Sequence, residues 1–254
     1  MQTSVPSFLL VTTGNINVVE ITGNTEIIKL DSNEAKVPTY ANLPKALYGA
    51  TGGFVGGKMV ICGGSNDLDS NEYEVISREC YTLDQENATF LGNMKRKRML
   101  TSSIVMGNSL WILGGSGGPV SGRTTEYIAV NGSRKDGPNL PAGPGGGFER
   151  HAALKINETT AMLIGGYNNE IYSQTWYYTQ DQTEWIPGPP LNQARCMHTA
   201  GLIYDSITLE EYFVVIGGLN NGYLSSTEIL SKDGSEWIKD KLFKILIRIS
   251  ILKI

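Results

Sequence analysis

Met59-Val60-Ile61-Cys62-Gly63-Gly64 is an apolar run that ends in two glycines, and similar runs follow at nearly constant distance. The later copies end at Gly114-Gly115, Gly165-Gly166 and Gly217-Gly218. The step between copies is about 51 residues each time, and a degenerate copy, Leu9 to Gly14, lies about one step before the first. A fixed period of this size indicates a chain built from repeated structural units.

Other landmarks recur within each period. An Asn-Leu-Pro-like element comes first, followed by an arginine at Arg98, Arg150 and Arg195, with Leu47-Tyr48 in the first copy. Four short segments complete the period. They are a segment of alternating apolar and polar residues, the Gly-Gly run, a segment that ends near an aromatic residue, and a last short segment. Four short segments separated by Gly, Asn, Asp and Pro predict an antiparallel four-stranded meander.

The Gly-Gly run is apolar on both faces, so it must be buried on both faces. One sheet alone cannot cover both, whereas neighbouring sheets stacked against it can. The paired glycines then allow positive φ and close approach where the strand leaves the core. All eight are therefore expected to be structural.

Three landmarks have a characteristic spacing: the Gly-Gly pair, a Tyr about 12 to 17 residues later, and a Trp about eight or nine residues beyond that (Trp185, Trp237). By this spacing and by its period, the chain resembles the kelch repeat over about residues 7–240. The resemblance implies an all-β, kelch-type β-propeller domain at 1–240. Four complete four-stranded blades are expected at about 46–92, 97–138, 149–187 and 194–240, with an incomplete first blade at about 7–30. Since the family usually has about six or seven blades, an open or truncated ring is expected.

Residues 241–254 break the repeat and form a hydrophobic tail with alternating isoleucines. The tail could be an inner strand that closes the ring onto the first blade. Alternatively, it is a truncated or wrongly assigned end of the sequence, which we favour because no turn signal or Gly-Gly accompanies it. Exposed, it would favour aggregation.

The composition limits the function classes. A chain of 254 residues with 41% hydrophobic content can form one sizeable core. A net charge of −4 argues against a nucleic-acid partner, which requires a basic face. No apolar run reaches about 18 residues, so no membrane span is expected.

The compartment is only weakly indicated. The N-terminal region has no basic stretch ahead of its short apolar run, so no secretory signal is predicted. Cys62, Cys80 and Cys196 are sparse, and Cys62 is interpreted as a buried thiol rather than part of a disulfide framework. N-glycosylation sequons at Asn87, Asn131 and Asn157 are no more than chance provides. A cytoplasmic location is expected, with an extracellular one left open.

His151 and His198 are the only histidines, and each follows an arginine of the repeat. Two histidines could serve a metal or an acid–base reaction, but such a centre needs further ligands that the sequence does not supply. No nucleophile motif is present. No catalytic residue, metal or cofactor is therefore predicted.

The segment that enters the first strand and the loop that leaves the Gly-Gly strand should lie at one end of a meander. That end would carry a predicted contact set of Tyr48, Arg98, Arg150, His151, Tyr167, Asn168, Arg195, His198 and Tyr223. Arginine pairs bidentately with carboxylates, so an acidic peptide would suit this surface, and kelch-type substrate receptors of ubiquitin ligases resemble it. The alternative is that the arginines brace neighbouring blades through backbone carbonyls.

The sequence therefore predicts a non-enzymatic module that binds a partner protein or peptide, in the manner of a substrate-recognition domain. Two alternatives stay open. One is a propeller-type enzyme, such as a galactose-oxidase-like or glycan-processing enzyme, and the other is a purely structural scaffold. The oligomeric state is not predicted.

Overall fold

A computed structural model describes residues 41–67, 73–118, 120–141, 147–205 and 210–239, and the backbone of short strands between residues 8 and 29. The described residues form strands and two short 3₁₀ turns, so the all-β prediction is confirmed. No helix in these ranges is long and apolar enough to cross a membrane. The predicted tail at 241–254 lies outside the described residues.

The N-terminal strands form two small antiparallel pairs. β1 (Phe8–Thr12) pairs with β4 (Thr25–Lys29), and β2 (Asn15–Asn17) pairs with β3 (Glu20–Ile21). β1 coincides with the degenerate copy of the Gly-Gly run. This region was predicted to be an incomplete repeat, and its described part is two strand pairs rather than one four-stranded sheet.

Four antiparallel four-stranded sheets follow, which we call units 1 to 4. Unit 1 contains β5 (Thr51–Val55), β6 (Lys58–Cys62), β7 (Glu79–Leu83) and β8 (Ala88–Asn93). Unit 2 contains β9 (Ser102–Met106), β10 (Ser109–Leu113), β11 (Thr125–Ala129) and β12 (Arg134–Asp136). The 3₁₀ turns, Tyr73–Val75 and Ser121–Arg123, lie between the second and third strands of these units.

Unit 3 contains β13 (Ala152–Lys155), β14 (Thr160–Ile164), β17 (Thr175–Thr179) and β18 (Ile186–Pro187). A hairpin of β15 (Tyr167–Asn168) and β16 (Glu170–Ile171) lies between its second and third strands. Unit 4 contains β19 (Thr199–Asp205), β20 (Glu210–Ile216), β21 (Thr227–Leu230) and β22 (Trp237–Lys239). Strand order within each sheet follows chain order, as predicted, and each sheet is open.

Each unit has two ends of different character. At the loop end, an incoming segment leads into the first strand and an outgoing loop leaves the second. At the turn end, tight turns join the first strand to the second and the third to the fourth. Hydrogen bonds between incoming segments and the Gly-Gly pairs connect the loop ends of successive units.

The same junction joins successive units three times. The second glycine of a pair donates its N–H to a carbonyl in the next unit's incoming segment. These bonds are Gly64 N to Arg98 O (2.8 Å), Gly115 N to Phe148 O (2.8 Å) and Gly166 N to Arg195 O (2.9 Å). The first glycine lies under the same carbonyl, because a Cβ on Gly63 would sit 2.4 Å from Arg98 O. A side chain is therefore excluded by the neighbouring backbone, which explains the double glycine.

The Gly-Gly strands are buried between units, as their apolar pattern predicts. Alternate residues face the next unit and the previous one. Three mixed clusters result: Val60 and Cys62 with Leu110 and Ile112; Trp111 and Leu113 with Ala161 and Leu163; Met162 and Ile164 with Val215. The core therefore lies between sheets, and each unit depends on its neighbours.

Unit 4 lacks this cover at its Gly-Gly pair. Ile216 is 42% exposed, whereas Leu113 and Ile164 at the same position are 0% exposed. The nearest atom to a Cβ on Gly217 is Leu224 O at 3.4 Å, within the same unit. Within the described residues, no further unit packs here.

An alanine substitution tests this account. Gly165→Ala should lower the free energy of unfolding by about 3 kcal/mol, because a left-handed residue carrying a Cβ costs about 1–2 kcal/mol and the Cβ would also clash with backbone 2.6 Å away. Gly217→Ala, with φ 65° and no such clash, should cost only about 1–2 kcal/mol. Urea unfolding measures both, and equal losses would contradict the junction.

One prediction about the cysteines was wrong. Cys62 and Cys80 form a disulfide between β6 and β7, where they are directly opposed in the register. Cys62 is therefore not a buried thiol. Cys196 is free and buried.

Candidate functional site

The incoming segments form a continuous row at the loop end. Leu100 N donates to Gly49 O (2.9 Å), Arg150 N to Leu100 O (2.8 Å) and Met197 N to Arg150 O (2.8 Å). All four residues have positive φ, from 52° to 66°. These bonds fix which residues are equivalent in the four units.

This register corrects the predicted arginine repeat. Arg98 and Arg195 each lie two residues before the row, and the residues at that position in units 1 and 3 are Leu47 and Phe148. Arg150 itself belongs to the row. The sequence therefore contains two equivalent arginines and a third that is displaced by two residues.

Arg98 is buried, with 1% of its side chain exposed. Its Nε donates to Glu126 Oε1 (3.0 Å), and its Nη1 donates to the carbonyls of Gly114 (2.6 Å) and Ser121 (2.7 Å). The second carboxylate oxygen of Glu126 accepts the Lys95 backbone N–H (2.7 Å). The guanidinium and the carboxylate thus satisfy each other inside unit 2.

Arg195 repeats this arrangement in unit 4, where its side chain and that of Glu228 are both 0% exposed. Its Nη2 donates to Glu228 Oε1 (2.8 Å), and its Nη1 donates to the Gly217 carbonyl (2.6 Å). Neither arginine can touch a partner from this position. The structure therefore corrects their predicted contact role. The alternative was that they brace neighbouring blades, but their guanidinium groups bind a carboxylate and carbonyls of their own unit, so each braces one unit internally.

The other two units replace the ion pair with an apolar pair at the same positions. In unit 3, Phe148 packs edge-on against Trp176 with ring centroids 4.9 Å apart. In unit 1, Leu47 and Tyr81 belong to one buried cluster. Because both partners change together, we infer that this pair exists to fill and satisfy one internal site.

Glu126 and Glu228 were not recognised as important from the sequence. A signal was nevertheless present, because each follows a Thr in the third strand, and only in the two units that carry the equivalent arginine. In unit 3, where Phe148 replaces the arginine, the residue equivalent to these glutamates is Trp176.

His151 and His198 are also interior residues, 6% and 8% exposed. Burial lowers the pKa of each imidazole to about 3, against smaller opposing effects of nearby backbone groups. Each side chain fills the space that two glycines leave. For His151, a Cβ built on Gly114 would lie 3.1 Å from the histidine Cε1, and a Cβ built on Gly166 would lie 2.7 Å from the histidine Cβ. Their predicted contact role is corrected to a packing role between units.

The remaining predicted contact residues stay at the loop end. Tyr223 is 97% exposed, and Tyr48, Tyr167 and Asn168 are half-buried. The Asn168 side chain donates to Gly147 O (3.3 Å). Their role in binding a partner is a prediction that the fold leaves possible.

Arg150 is the arginine of the predicted set that reaches solvent, with 30% of its side chain exposed. Its guanidinium stacks over the Tyr167 ring at 5.2 Å, and its Nε lies 3.4 Å from Glu149 Oε1. Among the described residues, its terminal nitrogens form no hydrogen bond. Such a guanidinium is oriented by an aromatic ring and can still bind a carboxylate.

The described residues contain no group of three or more His, Cys, Asp or Glu side chains that could hold a metal ion. Comparison of the chain with family models and with curated proteins finds no match. The candidate site is therefore defined by geometry alone, as an exposed surface of polar, aromatic and apolar side chains at the loop end.

Proposed function

We propose that the chain is a kelch-type β-propeller segment that binds a partner protein or peptide at its loop end. The repeated junction between units and the successive packing of sheets support the propeller arrangement. The kelch-like register of glycine, tyrosine and tryptophan supports the family. In this proposal the four units form an open arc of blades.

The observation that carries the binding role is the row of left-handed residues. Unit 1 has Gly49 there, which adopts positive φ without strain. Units 2 to 4 have Leu100, Arg150 and Met197 instead, at a cost of about 1–2 kcal/mol each. Strain of this kind persists at functional sites because the side chain is needed there.

The remaining left-handed residues other than glycine within the described residues also lie at this end. They are Asn169 and Asn221, in the outgoing loops of units 3 and 4. The turn end reaches positive φ only at glycines, such as Gly56 and Gly107, within the same ranges. The two ends of the units therefore differ in the backbone strain that they retain.

The row also indicates the chemistry of the partner. Arg150 provides a positive charge next to the aromatic ring of Tyr167, and Met197 is 46% exposed. A peptide segment that combines a carboxylate with an apolar side chain fits both residues. Tyr223 extends the same surface and can contribute a large contact area.

The test replaces the row residues with the residue that unit 1 itself uses. Arg150→Gly combined with Met197→Gly should reduce recovery of the partner at least about tenfold, equal to about 1.4 kcal/mol of binding free energy. The free energy of unfolding should not fall, since glycine relieves about 1–2 kcal/mol of left-handed strain at each position and so offsets the lost side-chain contacts and the greater backbone freedom of the unfolded chain. Partners are captured on immobilised full-length chain and quantified by mass spectrometry.

Gln182→Ala, an exposed change at the turn end, is the matched control and should leave recovery unchanged. A partner that is lost with Gln182→Ala but retained with the double glycine variant would contradict the proposal. So would a set of partners that no loop-end change affects.

A further inference from the structure

The disulfide lies at a position that units 2 to 4 fill with an aliphatic residue opposite a threonine. The last residue of the second strand and the opposed residue of the third strand are Cys62 and Cys80 in unit 1. The corresponding pairs are Leu113–Thr125, Ile164–Thr175 and Ile216–Thr227. Two of the chain's three cysteines therefore occupy one opposed pair and are joined. Structural disulfides of this kind form and persist in oxidising compartments.

The three sequons share one end of the molecule. Asn87 lies in the turn between β7 and β8, Asn131 between β11 and β12, and Asn157 between β13 and β14. All three residues are exposed. Each of these turns joins a first strand to a second or a third to a fourth, so each belongs to the turn end.

The side-chain amides are presented in a way that leaves their nitrogen available. Asn131 Oδ1 accepts the Ser133 backbone N–H (2.9 Å). Asn157 Oδ1 accepts both the backbone N–H (2.9 Å) and the hydroxyl (3.1 Å) of Thr159. Within the described residues, the Nδ2 of Asn87, Asn131 or Asn157 forms no hydrogen bond. The nitrogen is the atom that N-glycosylation modifies.

We propose that Asn87, Asn131 and Asn157 carry N-linked glycans and that the protein matures in an oxidising compartment. The glycans cover the turn end, and the loop end remains bare because the sequence has no other sequon. This replaces the cytoplasmic location expected from the sequence. The disulfide and the common placement of the sequons are separate observations that point to the same compartment.

The chemistry balances with reagents of such a compartment. A lipid-linked oligosaccharide pyrophosphate donates the glycan. The bond between its anomeric carbon and the phosphate oxygen breaks, a bond from that carbon to Nδ2 forms, and the amide loses one proton. Disulfide formation removes two electrons and two protons from the thiols, which the disulfide of a thiol–disulfide oxidoreductase accepts.

The test uses the protein isolated from cells that make it naturally. Peptide N-glycosidase in heavy-oxygen water should convert all three asparagines to labelled aspartates, and non-reducing peptide mapping should recover the Cys62–Cys80 cross-link. Unmodified asparagines or free thiols at these positions would overturn the proposal. Modification of only one or two asparagines would overturn the assignment of the others.

Two sets of variants separate local effects from the compartment. Thr89→Ala, Ser133→Ala and Thr159→Ala should each remove one glycan and leave the other two. Cys62→Leu with Cys80→Thr, the residues of unit 2, should preserve packing, lose the cross-link and retain all three glycans. If the single-site variants lose no glycan, the sequons are not the modified sites.

Discussion

Arg98→Phe should lower the free energy of unfolding by about 3–5 kcal/mol, because it leaves the buried carboxylate of Glu126 without its counter-charge. The change keeps a large side chain, so lost volume is a minor part of the effect. It also removes the donor to the Gly114 and Ser121 carbonyls. Urea unfolding at neutral pH measures the loss.

Unit 3 provides the rescue for this variant. Adding Glu126→Trp reproduces the Phe148–Trp176 pair at the equivalent position and removes the unpaired charge. The double variant should therefore be more stable than Arg98→Phe alone, although the two carbonyls still lack their donor and the Lys95 backbone N–H loses its acceptor. A double variant that loses the sum of the single changes would contradict the interpretation of the pair as one exchangeable unit.

An exposed ion pair serves as the control. Lys95 Nζ lies 2.6 Å from Asp136 Oδ2, and the side chains are 55% and 64% exposed. Lys95→Ala should cost no more than about 1 kcal/mol, because solvent screens exposed charges and the backbone N–H to Glu126 is retained. The difference between the losses of unfolding free energy in Lys95→Ala and in Arg98→Phe measures how much burial increases the cost of breaking an ion pair.

The second large effect is a loss of stability in mild acid. His151 and His198 have a pKa of about 3 in the folded protein, below the ordinary 6.5 that applies on unfolding. The stability that the neutral, buried histidines contribute is fully present above about pH 6.5. It is lost as the pH falls toward 3, because the unfolded chain binds protons that the folded chain does not. At pH 5 the loss should be about 2 kcal/mol for each histidine. Urea unfolding at pH 7 and pH 5 gives the difference.

The equivalent residue in unit 2 is Thr101, whose hydroxyl donates to the Leu113 carbonyl (2.6 Å). His151→Thr and His198→Thr should each remove about half of the histidine-dependent loss between pH 7 and pH 5. If neither variant changes the slope of stability against pH, the buried histidines are not its source.

Much of the fold could be predicted from the sequence because it depends on repeated local patterns. The period, the four strands per unit and the burial of the Gly-Gly strands all follow from alternation, turn residues and apolar runs. The burial of the Arg98 and Arg195 side chains could not be predicted. The local sequence around an arginine in a loop is the same whether its guanidinium binds a partner or an internal carboxylate. The sequence also aligned Arg150 wrongly with Arg98 and Arg195. The register of the incoming segments is fixed only by hydrogen bonds between units, which the sequence does not reveal.

The sequence by itself determined an all-β chain of four similar four-stranded sheets, each with a double glycine where its second strand leaves the core, because periodicity and side-chain size act locally. Only the tertiary structure decided which side chains are interior, which residues of different units are equivalent, that Cys62 faces Cys80 and that three sequons share one end. These properties depend on contacts between residues far apart in the chain. Their positions are set by strand register and by the packing of one unit on the next.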